Sequence, residues 1–83
     1  MIPTEAAVEA EEAAIAADIA WRKAKARRFI DLIEDGELHP IVFKMLDNDH
    51  RILNLESQAR RAQARARAAW IEASRTPTEE VPI

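Results

Sequence analysis

The sequence predicts an all-α protein: an antiparallel helical hairpin of two long alanine-rich helices, with a short helix at the turn and an extended C-terminal tail. Three observations carry that prediction. The 83-residue chain has one glycine, no cysteine and no tyrosine, too little glycine for the tight turns of a β-fold. Its alanines recur at alternating spacings of three and four residues along two long stretches. Its charges fall into blocks of alternating sign that match when the chain doubles back near residues 36–49.

The first long helix is expected over residues 4–35. Thr4 suits an N-cap, with Pro3 ahead of it and Glu5 in the first turn. Gly36 is the natural residue to end it, because a helix commonly closes with one residue in the left-handed conformation. Two stripes run along this helix. Ala6, Ala10, Ala13, Ala17, Ala20 and Ala24 keep heptad phase, and Val8, Ile15, Ile19, Ala26, Ile30 and Ile33 lie nearly opposite. A helix that is apolar on two sides needs neighbours on two sides, and one hairpin partner covers only one of them.

A short helix is expected over residues 40–47, starting at Pro40, a favoured first-turn residue. The run "DND" at 47–49 offers a cap for the second long helix, over residues 49–75. No local signal forbids fusing the two later pieces into one helix. Ile52, Leu55, Ala59, Ala62, Ala66, Ala69 and Ala73 form its seam, almost all of it methyl groups. Thr76-Pro77 is expected to stop this helix and leave residues 76–83 as a tail. Bulky apolar residues concentrate between 29 and 55, which puts the main core at the turn end and leaves the alanine-rich halves as thin arms. The whole is one domain, since a chain this short supports a single core at most.

The charge blocks bear on both fold and function. Glu5, Glu9, Glu11, Glu12 and Asp18 stand without a base in residues 1–20, and Arg22, Lys23, Lys25, Arg27 and Arg28 stand without an acid in 21–28. Six arginines follow in 51–75 against Glu56 and Glu72. Folding the chain into a hairpin brings Glu12 toward Arg67 and Asp18 toward Arg61, each pair contributing about 0–1 kcal/mol at a surface.

Candidate sites follow from the same pattern. Two basic patches are available to a polyanion: Arg22, Lys23, Lys25, Arg27 and Arg28, and then Arg60, Arg61, Arg65 and Arg67. The arc of the second is broad, and the chain carries its own acidic block and a net charge of −3, so nucleic-acid binding ranks below a structural role. Val8, Ile15, Ile19, Trp21 and Trp70 are the partner-interface candidates; the two tryptophans border thin alanine seams, where an aromatic makes an effective anchor.

No catalytic residue, cofactor site or metal site is expected. "DNDHRI" opens like a calcium loop, but Arg51 takes a ligand position and Ile52 the position of the required glycine. Ser57 and Ser74 have no neighbouring histidine on the same helix, and no glycine-rich loop could cradle a phosphate. No apolar run approaches the roughly 18 residues of a membrane span, and the N-terminal stretch lacks a signal peptide's basic and apolar regions.

These features point to a non-enzymatic structural or adaptor subunit that docks through its helices and tails in a larger assembly, with a protein partner or a second copy. A cytoplasmic or virion setting is expected, because abundant alanine and arginine in preference to lysine fit a GC-rich bacterial or phage genome. The alternatives are a regulatory nucleic-acid binder using the two basic blocks, and a small assembly or export chaperone whose client covers the stripe of Val8, Ile15 and Ile19.

Overall fold

The computed structural model describes residues 3–79, and the side-chain surroundings of 4–75. Within them the chain is helical and antiparallel: α1 (Pro3–Glu34), α2 (His39–Asp47) and α3 (His50–Glu79), with α1 packed along α3 and α2 folded across the turn.

Local chemistry sets each boundary. Helix α1 starts at Pro3, so Thr4 lies inside the first turn rather than at its cap. Proline favours this placement because its fixed φ is already helical and its missing N–H is one the first turn leaves unused. Gly36 adopts φ +88° and closes α1. Its N–H donates to the Ile33 carbonyl at 3.0 Å, and the Glu37 N–H donates to the Leu32 carbonyl at 3.1 Å. That pair of bonds is the Schellman arrangement, and it satisfies carbonyls the helix end would otherwise leave open.

The later segments are two helices, not one. Asn48 terminates α2, its side-chain amide donating to the Lys44 carbonyl at 2.9 Å. Asp49 then caps α3: its Oδ1 accepts from the Arg51 and Ile52 N–H groups at 3.0 and 3.2 Å. Helix α3 does not stop at Thr76-Pro77 but continues to Glu79. A proline in the last turn loses a single hydrogen bond, to a carbonyl near a helix end that water reaches, which is a smaller penalty than in a helix interior. Residues 80–83 of the expected tail lie outside the described residues.

Two clusters form the core. At the turn end, Leu32, Val42, Leu46 and Ile52 are buried, with Trp21, Phe29 and Ile33 packed against them. Phe29 also holds tilted ring contacts with His39 and Phe43, centroids 6.0 and 5.9 Å apart. Along the arms, Ala14, Ala62 and Ala66 are buried, with Ala10 and Ala17 at their edge. Burying a leucine-sized side chain contributes about 1.5–3 kcal/mol and an alanine methyl a fraction of that, so the turn end is the stronger half.

Two further expectations need correction. The α3 seam is as read, but along the arm of α1 the buried alanines are Ala7 and Ala14, with Trp21 next in that phase, while Ala13 and Ala20 are exposed. Ala10, Ala17 and Ala24 belong to the true seam as well; Ala6, Ala13 and Ala20 stand one residue off it. The turn-end core is also smaller than the run of bulky residues implies. Ile41, Phe43 and Met45 are exposed because a nine-residue α2 can bury one face only, and Ile30 on α1, Leu38 before α2 and Leu53 on α3 are exposed as well.

The chain is long and thin, 69 × 16 × 15 Å with a radius of gyration of 18.8 Å. A compact chain of this length would have a radius of about 12 Å. Its accessible surface of 6502 Å² likewise exceeds the roughly 5000 Å² of a compact monomer of its mass.

Candidate interaction surface

Opposite the seam, α1 presents Val8, Ile15, Ile19 and Ile30 to solvent, 41, 55, 46 and 52% exposed. They share the face with exposed Ala26 and with charged Glu12 and Lys23 at its edge. Ile33, the last member expected on this stripe, turns partly inward to the core. Helix α3 is on the other side of α1, so no described residue covers the stripe.

Along one side of the hairpin this apolar surface merges into grooves between the elements. Near the open end, Ile15 lies with Trp70 and Ile71 beside a groove of about 590 Å³ whose rim carries Glu11, Asp18 and Arg67. Near the turn, Trp21, Phe29, Ile30 and Phe43 line a second groove of about 420 Å³ rimmed by Arg22 and Lys25. A polar stretch separates them, where Asp18 binds Arg22 at 2.8 Å and Glu56 binds Arg60 at 3.4 Å.

The tryptophans play different parts. Trp21 is half-buried against the turn-end core, with the Arg22 guanidinium and Lys25 Nζ 5.3 and 5.6 Å from its ring. Trp70 is 40% exposed and forms a wall of the open-end groove.

The basic residues do not assemble into one patch. Arg60 and Arg67 lie on the side of the apolar grooves, whereas Arg61 and Arg65 lie across the hairpin beside Ala13 and Ala17. Arg27 and Arg28 flank a cleft with Asp31, Asp49 and Arg51, and Arg28 is 3.5 Å from Asp49. Lys23 stands apart on the outer face of α1.

The expected pairs across the hairpin do not form. Asp18 takes Arg22 from its own helix, and Arg61 donates to the Ser57 hydroxyl at 3.0 Å. Pairs four residues apart on one helix need no tertiary alignment, so they win over distant ones of similar strength. The rotated seam also carries Glu12 to the outer face. Glu11, Glu12 and Lys23 have no ion-pair partner among the described residues.

Ile71 and Phe43 also line these grooves without belonging to either stripe of the sequence. Ile71 is off the heptad seam of α3, and its phase beside the arginines was the available signal. Phe43 follows Val42 on a short helix, so burial of one turns the other outward.

Among the described residues no group of three or more His, Cys, Asp or Glu side chains could hold a metal ion, and no helix is long and apolar enough to cross a membrane. Comparison with protein-family models, curated proteins and solved structures found no match.

Proposed function

We propose that this protein is a non-enzymatic structural or adaptor subunit that docks in a larger assembly by laying the outer face of α1 against a partner helix. The observation that supports this most is the line of Val8, Ile15, Ile19 and Ile30, apolar and in helical phase yet facing solvent. Exposed apolar residues scattered singly are ordinary on a protein surface, but four on one helix face form a docking strip. The grooves beside it supply Trp70, Trp21 and Phe43 as further apolar contacts. Composition favours a bacterial or phage assembly, such as a virion, as the setting.

The test is native purification of the full chain followed by mass determination of the intact complex. A stoichiometric complex is expected, and Ile15→Asp with Ile19→Asp should dissociate it while leaving the helical circular dichroism signal in place. Both positions face solvent, so the hairpin does not need them. A complex that survives this double substitution would refute the docking face. An assembly chaperone would use the same strip but release its client when assembly ends, so its complex should be absent from the finished assembly.

Nucleic-acid binding is the second reading, favoured by Arg27, Arg51, Arg61 and Arg65 along the face opposite the apolar grooves. It ranks lower because Arg22, Arg28 and Arg60 each hold a carboxylate, and Arg22 and Lys25 already compete for the Trp21 ring that a base would stack on. Binding to DNA or RNA that weakens steeply with salt and is lost in Arg61→Ala/Arg65→Ala would reverse the ranking.

A further inference from the structure

From the arrangement of charge around the exposed stripe we infer that the partner helix is α1 of a second copy, running antiparallel about a two-fold axis at the level of Ala17. The inference rests on the docking role proposed for this face and names its occupant.

Relative to Ala17, Ile15 and Ile19 stand two residues to either side, Glu12 and Arg22 five, Glu11 and Lys23 six, and Val8 and Ala26 nine. Two-fold pairing at that level therefore sets Ile15 against Ile19 of the second copy and Val8 against Ala26. It also brings the Glu11–Glu12 level of each copy to the Arg22–Lys23 level of the other. Val8, Ile15, Ile19 and Ala26 thus meet apolar positions and the acids at 11–12 meet the bases at 22–23, while Ile30 falls opposite Thr4 at the end of the contact. A parallel pair would set each charge beside its own like, and a shifted antiparallel register would lose the match.

Structure adds what the pattern alone lacks. The stripe is on the face of α1 that α3 leaves open, and Glu11, Glu12 and Lys23 have no ion-pair partner among the described residues. A second copy provides partners for all of them at once, twice over by symmetry. In the resulting dimer the two α1 helices form the inner pair, and each α3 an outer layer.

Size sets the strength. The paired segment, residues 4–30, is about 40 Å long and roughly 10 Å wide, toward the small end of specific interfaces. A contact this small is expected to be weak, in the micromolar range.

Sedimentation equilibrium of the full chain from about 1 to 200 µM, a range set by that affinity, is the test. A monomer–dimer equilibrium is expected, and Ile15→Asp should abolish it, whereas Leu53→Asp on α3 should leave it unchanged. Glu12→Lys should weaken the dimer about tenfold, because symmetry repeats the lost attraction. Adding Lys23→Glu to the same chain should restore it, since each reversed charge again meets its opposite on the other copy. A monomer throughout the range overturns the second copy, as does a dimer that Glu12→Lys/Lys23→Glu fails to restore. The docking face itself is judged separately, by whether Ile15→Asp/Ile19→Asp dissociates the natively purified complex.

Discussion

Asp49 carries two local duties. Its Oδ1 caps α3 by accepting from the N–H groups of Arg51 and Ile52, and its Oδ2 lies 3.5 Å from the Arg28 Nε. Asp49→Ala removes both and should cost about 1–2 kcal/mol, whereas Asp49→Asn keeps a capping oxygen and should cost less than about 1 kcal/mol. Urea unfolding of the two variants under one condition separates cap from charge. Gly36 offers a second residue-scale test. A Cβ built there meets nothing within 4 Å, so Gly36→Ala is penalised by its φ of +88° alone. The expected loss is about 1 kcal/mol, read by the same unfolding assay. In the core, Leu32→Ala should cost about 2–5 kcal/mol, since its side chain is 3% exposed, while Leu38→Ala at 68% exposed should change stability by less than about 0.5 kcal/mol.

Between elements, the deciding quantity is the phase of the α1 seam. Alanines are adjacent at 6 and 7, at 13 and 14, and at 16 and 17, so two heptad phases are almost equally populated by methyl groups. Methyl against methyl gives no preference; Trp21 does. Turning its large ring toward the turn-end core carries Ala14 and Ala7 inward and Ala13 and Ala20 outward. Ala14→Leu should therefore overpack the hairpin and cost about 1–3 kcal/mol, and Ala20→Leu should be close to neutral. Thermal unfolding of that pair would give the reverse order if the seam ran through Ala13 and Ala20.

The same comparison shows what was legible in the sequence. The α3 seam was plain, because alanine or a larger apolar residue fills every heptad position from Ile52 to Ala73 and no rival phase is complete. The helix end at Gly36 was plain because the left-handed backbone there favours glycine, whereas Asp49 was one cap candidate in "DND" and no local signal forbade a single helix through it. The interhelical charge pairs were not legible. Their prediction depended on the α1 rotation, and a carboxylate with a cation four residues away on its own helix needs no distant partner. The outer stripe of α1 was visible in the sequence because isoleucine and valine mark it, and that it faces solvent became clear only with α3 in place.

At the scale of the whole molecule, a 69 Å hairpin only 15–16 Å thick buries little of its own apolar surface. Stability is graded along its length, with bulky side chains at the turn and methyl groups in the arms. In amide hydrogen exchange at dilute concentration, residues 29–55 should be the slowest-exchanging region and the open ends of α1 and α3 the fastest. Raising the concentration into the dimer range should slow exchange in α1 more than in α3, because α1 is the inner helix of the pair.

The central claim is that α1 meets a second α1 in antiparallel register, and the absence of cysteine from the chain allows a direct measurement. Val8→Cys and Ala26→Cys chains, mixed in equal amounts and oxidised mildly, should give chiefly the mixed disulfide between position 8 of one chain and position 26 of the other. Little of either self-linked product should form, since each position is far along the helix from its own copy. A predominance of self-linked Val8→Cys and Ala26→Cys dimers, or no cross-linking at concentrations where the chain sediments as a dimer, would contradict the antiparallel pairing.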